Sequence, residues 1–131
     1  MLSPVIKTDI TNVIKKHHHK IIFGYLFGSQ AKGLANESSD IDIAIFVNPE
    51  LKDSFFDIKI DFYMEMSRTL KRNDIDIVIL NQCKNLILAN EIISHGFLIY
   101  DSNEELRLDY EQKILHSAID FKYQRRMTMG V

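Results

Sequence analysis

Cysteine is almost absent from this chain, because Cys83 is the only one among 131 residues. A single thiol cannot form a disulfide within the chain, so we expect a reducing compartment and an ordinary, partly buried role for Cys83. Long hydrophobic runs are also missing. The opening residues, MLSPVIKTDI, lack the apolar core of a signal peptide, and no segment approaches the length of a membrane-spanning helix. We therefore expect a cytoplasmic protein with no membrane association.

An excess of positive charge is missing as well. The chain has 16 Lys and Arg against 18 Asp and Glu, which gives a net charge of −2. Such a balance supplies no general attraction to a polyanion, so we expect no direct binding of nucleic acid. The hydrophobic fraction of 46% is ordinary for a globular protein, and the length predicts one domain, residues 1–131, with a core of its own.

The most informative stretch is residues 27–45, which read FGSQAKGLANESSDIDIAI. One apolar run ends at Gly28 and Ser29, and after ten further residues a second apolar run opens with Asp40 and Asp42. Residues two apart on a strand point to the same side, so these two carboxylates should lie close together. Like charges at that spacing repel unless a cation lies between them, and Mg²⁺ favours carboxylate and phosphate oxygens. The stretch therefore predicts a nucleotide site.

The turn between the two runs supplies the other half of that prediction. Gly28 lets the backbone approach a ligand closely, and the following N–H groups, with the hydroxyl of Ser29, can point at phosphate oxygens. Near the end of the loop, Ser39 either hydrogen-bonds phosphate or simply ends the loop.

A third acid is expected from the segment NDIDIVIL, residues 73–80, which reads as a strand with an acidic start. Asp74 and Asp76 share a face of that strand, so either could lie beside Asp40 and Asp42. Three carboxylates could surround two metal ions, the arrangement that stabilises both the attacking and the leaving oxygen in nucleotidyl transfer.

Taken together, Gly28-Ser29, Asp40-x-Asp42 and the later acidic strand resemble the DNA polymerase beta-like nucleotidyltransferase superfamily. Within it, nearly the whole chain is similar to the minimal nucleotidyltransferase (MNT) antitoxins of HEPN/MNT toxin–antitoxin modules, the MntA type. The resemblance implies an α/β fold, in which helices pack on a small mixed β-sheet and a long helix ends the chain. It also implies two Mg²⁺ ions held by Asp40, Asp42 and Asp76, because Asp76 fits the superfamily register.

The resemblance further implies the reaction and the partner. AMP would pass from ATP to a tyrosine hydroxyl of a cognate HEPN toxin, a helical ribonuclease, and so silence it within a hetero-oligomer. Ser29 and the Gly28-Ser29 backbone would hold the phosphates. Lys32 stands where the family often has arginine and could contact phosphate, whereas Gln30 stands where a second cation is common.

Two other functions stay open. The chain could neutralise a toxin by binding alone, with a vestigial nucleotide site. It could also be a small-molecule or aminoglycoside nucleotidyltransferase that works with a separate helical subunit.

The remaining pattern predicts helices at 4–16, 54–70, 85–95 and from 102 onward, and strands at 20–27, 41–47, 74–80 and 97–100. Strand 20–27 is apolar on both faces and should be central, whereas strand 97–100 should be an edge. In helix 54–70 we expect the aromatics, including Phe55, Phe56 and Phe62, to belong to the core. Arg72, just after that helix, should be solvated.

Four local features complete the predictions. His17–His19 should be a solvated helix end rather than a metal site, because consecutive histidines cannot all face one ion. Gly96 should end a helix in the left-handed conformation, and Ser102 with Glu105 should form a capping box. The last helix is long for this domain, and its basic end, residues 122–126, is a candidate partner surface.

Overall fold

The computed structural model describes residues 4–28 and 40–128. Helices α1 to α4 and strands β1 to β4 follow one another in the order α1 (Pro4–Lys16), β1 (Ile21–Phe27), β2 (Ile41–Val47), α2 (Phe55–Leu70), β3 (Ile75–Ile79), α3 (Leu86–His95), β4 (Phe97–Asp101) and α4 (Glu104–Thr128). Short 3-10 turns at Pro49–Ser54 and Leu80–Gln82 lead into α2 and α3. The predicted elements are all present, with bounds shifted by one or two residues.

The four strands form one mixed sheet in the order β3-β2-β1-β4. β1 pairs antiparallel with both β2 and β4, whereas β2 and β3 run parallel. The prediction that β1 is central and β4 an edge is therefore confirmed. The parallel pair requires a crossover, which α2 provides.

Alternate residues of the strands send their side chains into two separate apolar layers. On one face, which we call the α1–α2 face, Ile43 and Ile77 pack with Ile14 of α1 and Phe62 of α2. On the other, the α3–α4 face, the layer contains residues such as Phe23, Tyr25, Ala44, Phe46 and, from α3, Ile92. Asp42 and Asp76 alternate with the α1–α2 residues, so both project from the α3–α4 face.

Helix α2 corrects one prediction about its aromatics. Phe55 and Phe62 are buried as expected, but Phe56 is 72% exposed and Ile60 is 40% exposed. The helix is apolar on more than one side, and only the side that carries Phe55, Ile58 and Phe62 meets the sheet. Periodicity alone could not tell which of the two sides is inside.

Gly96 ends α3 in an extended conformation, with φ −73° and ψ 163°, so the expected left-handed residue is wrong. The glycine is required for another reason. A Cβ on Gly96 would lie 2.3 Å from the carbonyl oxygen of Ile92 and 3.3 Å from that of Leu26. The carbonyl of Ile92 at the end of α3, with a smaller contribution from Leu26 of β1, and not backbone handedness, explains the residue.

The start of α4 is capped by Asn103, not by the predicted capping box. The side-chain oxygen of Asn103 accepts from the backbone N–H of Leu106 at 3.0 Å. The hydroxyl of Ser102 instead donates to the carbonyl oxygen of Ile22 at 2.7 Å and so ties the chain to β1. Ser102 therefore makes a tertiary contact with β1 instead of capping α4.

His17 is also more than a solvated helix end. Its Nε2 lies 2.9 Å from Oε2 of Glu65, and its side chain is only 15% exposed. The ring packs edge-on against Phe62, with centroids 5.6 Å apart. His17 therefore joins α1 to α2, whereas His18 and His19 are not part of that contact.

Among the described helices, none combines the length and the apolar character needed to cross a lipid bilayer. This agrees with the short apolar runs of the sequence.

Candidate active site

Gly28 follows directly after β1 in a conformation that favours glycine, with φ 74°. A Cβ at this position would stand 2.2 Å from Oδ2 of Asp42, which is closer than any real contact. The residue before it, Phe27, is paired with Asp42 across β1 and β2. The sequence predicted a glycine that allows close approach to a ligand, and the structure shows that the group it approaches is the carboxylate of Asp42.

Asp42 and Asp76 lie side by side on neighbouring strands. The parallel register of β2 and β3 pairs them directly, between the pairs formed by Ile41 with Ile75 and by Ile43 with Ile77. Because the flanking isoleucines all point to the α1–α2 face, both carboxylates emerge on the opposite face. Asp42 is half-buried and Asp76 is exposed.

Asp40 precedes β2 by one residue and is exposed. The charge of Asp40 affects the ionisation of this pair. Burial raises the pKa of Asp42, and the nearby carboxylates of Asp76 and Asp40 raise that pKa further. The three predicted acids are therefore close enough for their charges to interact. A cation between them would remove that repulsion.

Asp74, the alternative third acid, is already paired. Arg72 donates to both of its carboxylate oxygens, from Nε and from Nη2, each at 2.6 Å. This bidentate contact holds the pKa of the Asp74 carboxyl below its ordinary value. The backbone carbonyl of Asp74 accepts from the N–H of Ile41 at 2.9 Å, so the residue also helps to join β3 to β2. Of the two candidate acids, Asp74 is thus engaged by Arg72, whereas Asp76 is the one in direct register with Asp42.

Arg72 is the residue of this region that sequence reasoning missed, since we predicted a solvated side chain. Its contact with Asp74 raises its pKa first, and the charge of Asp40 adds a smaller increase. It is a basic group beside an otherwise acidic site. The only signal in the sequence was the spacing Arg72-x-Asp74.

A divalent cation suits the chemistry of these donors, since carboxylate oxygens are ligands that Mg²⁺ favours. Across residues 4–28 and 40–128, however, no three His, Cys, Asp or Glu side chains are gathered tightly enough to form a ready metal site. A bound cation would therefore have to draw Asp40, Asp42 and Asp76 together by side-chain rotation. The predicted phosphate contacts at Ser29, Lys32 and Ser39 lie outside the described residues.

The family model described as polymerase beta, nucleotidyltransferase matches residues 8–105. That span covers β1 to β4 and all of the acids discussed above. The chain belongs to this nucleotidyltransferase family. Its members are transferases that act on a nucleotide, usually with a divalent metal. No curated protein matches the chain significantly.

Solved structures share the fold of this nucleotidyltransferase. The crystal structure of a toxin–antitoxin with AMP-PNP has a TM-score of 0.72 at 19% identity, covering 94% of both chains. A mutant of the MntA-HpeT toxin–antitoxin gives a TM-score of 0.71 at 19% identity, covering 98% of this chain and 96% of that one. A structure from Shewanella oneidensis gives 0.68 at 16% identity, with the same coverage. The TM-scores show a common fold, and at identities this low they show nothing more specific. The common fold confirms the predicted mixed sheet and long last helix.

Proposed function

We propose that this nucleotidyltransferase is an antitoxin that transfers AMP from ATP to a tyrosine hydroxyl of a cognate HEPN toxin, a helical ribonuclease. The observation that carries the proposal is the pairing of Asp42 with Asp76 on adjacent parallel strands, with the backbone of Gly28 pressed against Asp42. This arrangement sets two acids beside the turn predicted to hold phosphate. It is what a metal-assisted transfer to a hydroxyl requires.

Asp40 and Asp42 would hold the metal that binds the triphosphate, and Asp76 would share a second ion with them. Mg²⁺ in such a site neutralises phosphate charge and lowers the pKa of an attacking hydroxyl. Asp76, exposed on the edge strand, would accept the proton of the tyrosine hydroxyl as that oxygen attacks the α-phosphorus of ATP. Pyrophosphate then leaves in line, held by the Gly28-Ser29 backbone and by Lys32 and Ser39.

The neighbours in fold support the class of partner. Two of the structures described above are toxin–antitoxin complexes, and one of them contains AMP-PNP, an analogue of ATP. The acceptor in this proposal is a hydroxyl group carried by another protein. A tyrosine on a protein partner meets that need.

The test is transfer of AMP to a purified partner. The acceptor is a helical ribonuclease with an R-x4-6-H motif, sought in the neighbouring open reading frame, incubated with this chain, ATP and Mg²⁺. We expect mass spectrometry to show the mass of AMP added to a tyrosine of that partner. Asp76→Asn should reduce the rate at least about a hundredfold, because it removes a metal ligand and the base.

Asp74→Asn is the matched control, since it makes the same chemical change two residues away in a side chain already paired with Arg72. It should keep most of the activity. Equal loss in both variants would contradict the assignment of Asp76. If the double variant Asp40→Asn with Asp42→Asn still protects cells from the toxin, neutralisation works by binding alone.

A further inference from the structure

The acids of the site belong to two identical tetrapeptides, because the sequence DIDI stands at the start of β2 and again at the start of β3. The parallel register sets Asp42 directly beside Asp76, and we call these two residues the inner pair. The N–H of Ile41 donates to the carbonyl oxygen of Asp74 at 2.9 Å, so the ladder continues past the inner pair. Asp40 and Asp74, two residues earlier in each tetrapeptide, make a second pair, which we call the outer pair.

Strand geometry alone offers a cation two equivalent positions, because neighbouring strands lie about 4.8 Å apart and either pair of carboxylates could converge on one ion. What adjoins the two positions differs. The inner pair lies against the turn predicted to hold phosphate, since a Cβ on Gly28 would stand 2.2 Å from Oδ2 of Asp42. The outer position is about 6.6 Å away, the rise of two strand residues. Bonds from Mg²⁺ to oxygen are only about 2.1 Å long, so an ion at the outer position could not serve that turn.

Arg72 occupies the outer position. Its Nε donates to Oδ1 of Asp74 and its Nη2 donates to Oδ2, each at 2.6 Å, so both oxygens of that carboxylate are engaged. The contact is partly withdrawn from water, with the side chains of Arg72 and Asp74 19% and 35% exposed. Hydrogen bonding to Asp74 raises the pKa of Arg72, and the charge of Asp40 raises that pKa further. The guanidinium therefore interacts with both acids of the outer pair.

The turn that carries Arg72 is held by contacts of its backbone. The hydroxyl of Ser67 donates to the carbonyl oxygen of Arg72 at 2.7 Å, and the N–H of Arg72 donates to the carbonyl oxygen of Ser67 at 3.3 Å. The hydroxyl of Tyr63 donates to the carbonyl oxygen of Asn73 at 3.0 Å. None of these contacts uses the guanidinium. We therefore expect a shorter side chain at this residue to uncover Asp74 while the turn stays closed.

We propose that Arg72 is a positioning residue, which blocks the outer pair by holding Asp74 and so directs a divalent cation to the inner pair. The inference rests on the proposed function and deepens it, because it explains how four neighbouring acids present only three to a metal. Without Arg72, the outer position should be favoured. Asp40 is exposed whereas Asp42 is half-buried, so an ion held by the outer pair keeps more of its water.

The first test is Mn²⁺ binding by the full chain, followed from the electron paramagnetic resonance signal of the free ion. With Arg72 in place, Asp76→Asn should weaken binding at least about tenfold, and Asp74→Asn should change it less than about threefold. In an Arg72→Ala background the order should reverse, so that Asp74→Asn has the larger effect. Equal effects of the two acids in both backgrounds, or an unchanged order, would overturn the proposal.

Lys71→Gln is the matched control for charge. It removes a positive charge at the exposed residue before Arg72 and leaves the contact with Asp74 in place. In this background Asp76→Asn should still have the larger effect. A reversal here as well would mean that general loss of positive charge is the cause, and the proposal would be wrong. Arg72→Gln, which keeps most of the side-chain length, should give the same reversal as Arg72→Ala and guards against a local loss of structure.

Nucleotide binding separates this inference from the proposed function. With Mg²⁺ present, AMP-PNP should bind Arg72→Ala about tenfold more weakly than the natural chain, and the double variant Arg72→Ala with Asp74→Asn should restore binding to within about threefold. A loss that the double variant does not restore would show that Arg72 contacts phosphate itself and would refute its role as a positioning residue. A natural chain that binds neither Mn²⁺ nor AMP-PNP would contradict the proposed function. A natural chain that binds both, without the reversal, contradicts only the role of Arg72.

Discussion

The contact between Gly28 and Asp42 can be tested by replacing the glycine with alanine. The new Cβ would lie 2.2 Å from Oδ2, 3.2 Å from Cγ and 3.5 Å from Cβ of Asp42. In addition, the residue has φ 74°, which costs an alanine about 1–2 kcal/mol. With the clash included, we expect Gly28→Ala to lower the free energy of unfolding by about 2–4 kcal/mol and to displace a carboxylate of the site.

The two causes can be separated in an Asp42→Ala background. Only the 3.5 Å contact with Cβ survives there, and that is an ordinary packing distance. Gly28→Ala should then cost about 1–2 kcal/mol, the cost of the backbone conformation alone. Urea denaturation is carried out on the wild type, the two single variants and the double variant, and the data are analysed with equal slopes. The difference between the two costs of Gly28→Ala is the coupling free energy between Gly28 and Asp42.

Gly24→Ala is the control within the same strand, because its Cβ would meet the carbonyl oxygen of Ala44 at 3.2 Å and touches nothing of Asp42. Its cost should be the same in both backgrounds. If Gly28→Ala costs equally much with and without the Asp42 carboxylate, the reasoning about their contact is wrong.

Three further changes test the frame around the site, each by urea denaturation. Gly96→Ala should cost about 2–4 kcal/mol, because the carbonyl of Ile92 that its Cβ meets is backbone and cannot rotate away; a cost below about 0.5 kcal/mol would contradict the close packing. Asn103→Ala should cost about 0.5–2 kcal/mol through loss of the helix cap, and a neutral result would mean that the cap contributes nothing. Tyr25→Phe should cost about 1–3 kcal/mol, since Glu111 loses a donor within a largely buried contact, whereas an unchanged stability would show that water replaces the hydroxyl.

The acidic site could be predicted from the sequence because its geometry follows from short-range rules. Apolar strands with an acid near each start, joined by a helix, favour a parallel pair, and parallel pairing brings Asp42 and Asp76 into register. What the spacing could not settle was whether Asp74 or Asp76 completes the set. The structure pairs Asp74 with Arg72, which favours Asp76, and such a contact appears only once the turn after α2 is folded.

Most of the predictions that were wrong depended on contacts distant in sequence, and the local exceptions are the contacts of Arg72 with Asp74 and of Gly96 with Ile92. Ser102 looked like a helix cap until β1 placed the carbonyl of Ile22 beside its hydroxyl. Phe56 looked like core because α2 carries apolar residues on two sides, and only the sheet selects between them. Gly96 was expected to be left-handed. The glycine is explained instead by the carbonyl oxygens of Ile92 and Leu26, which leave no room for a Cβ. In each case the local pattern was compatible with two environments.

The connection between β2 and β3 runs through α2 on the sheet face opposite the acids. Asp53, in the turn that leads into α2, is exposed and belongs to neither apolar layer. A reporter dye attached there would lie beyond the last residue of β2, away from the carboxylates at the start of that strand. Labelled protein could then be followed through nucleotide addition and complex assembly in real time, without an artificial group obstructing the chemistry.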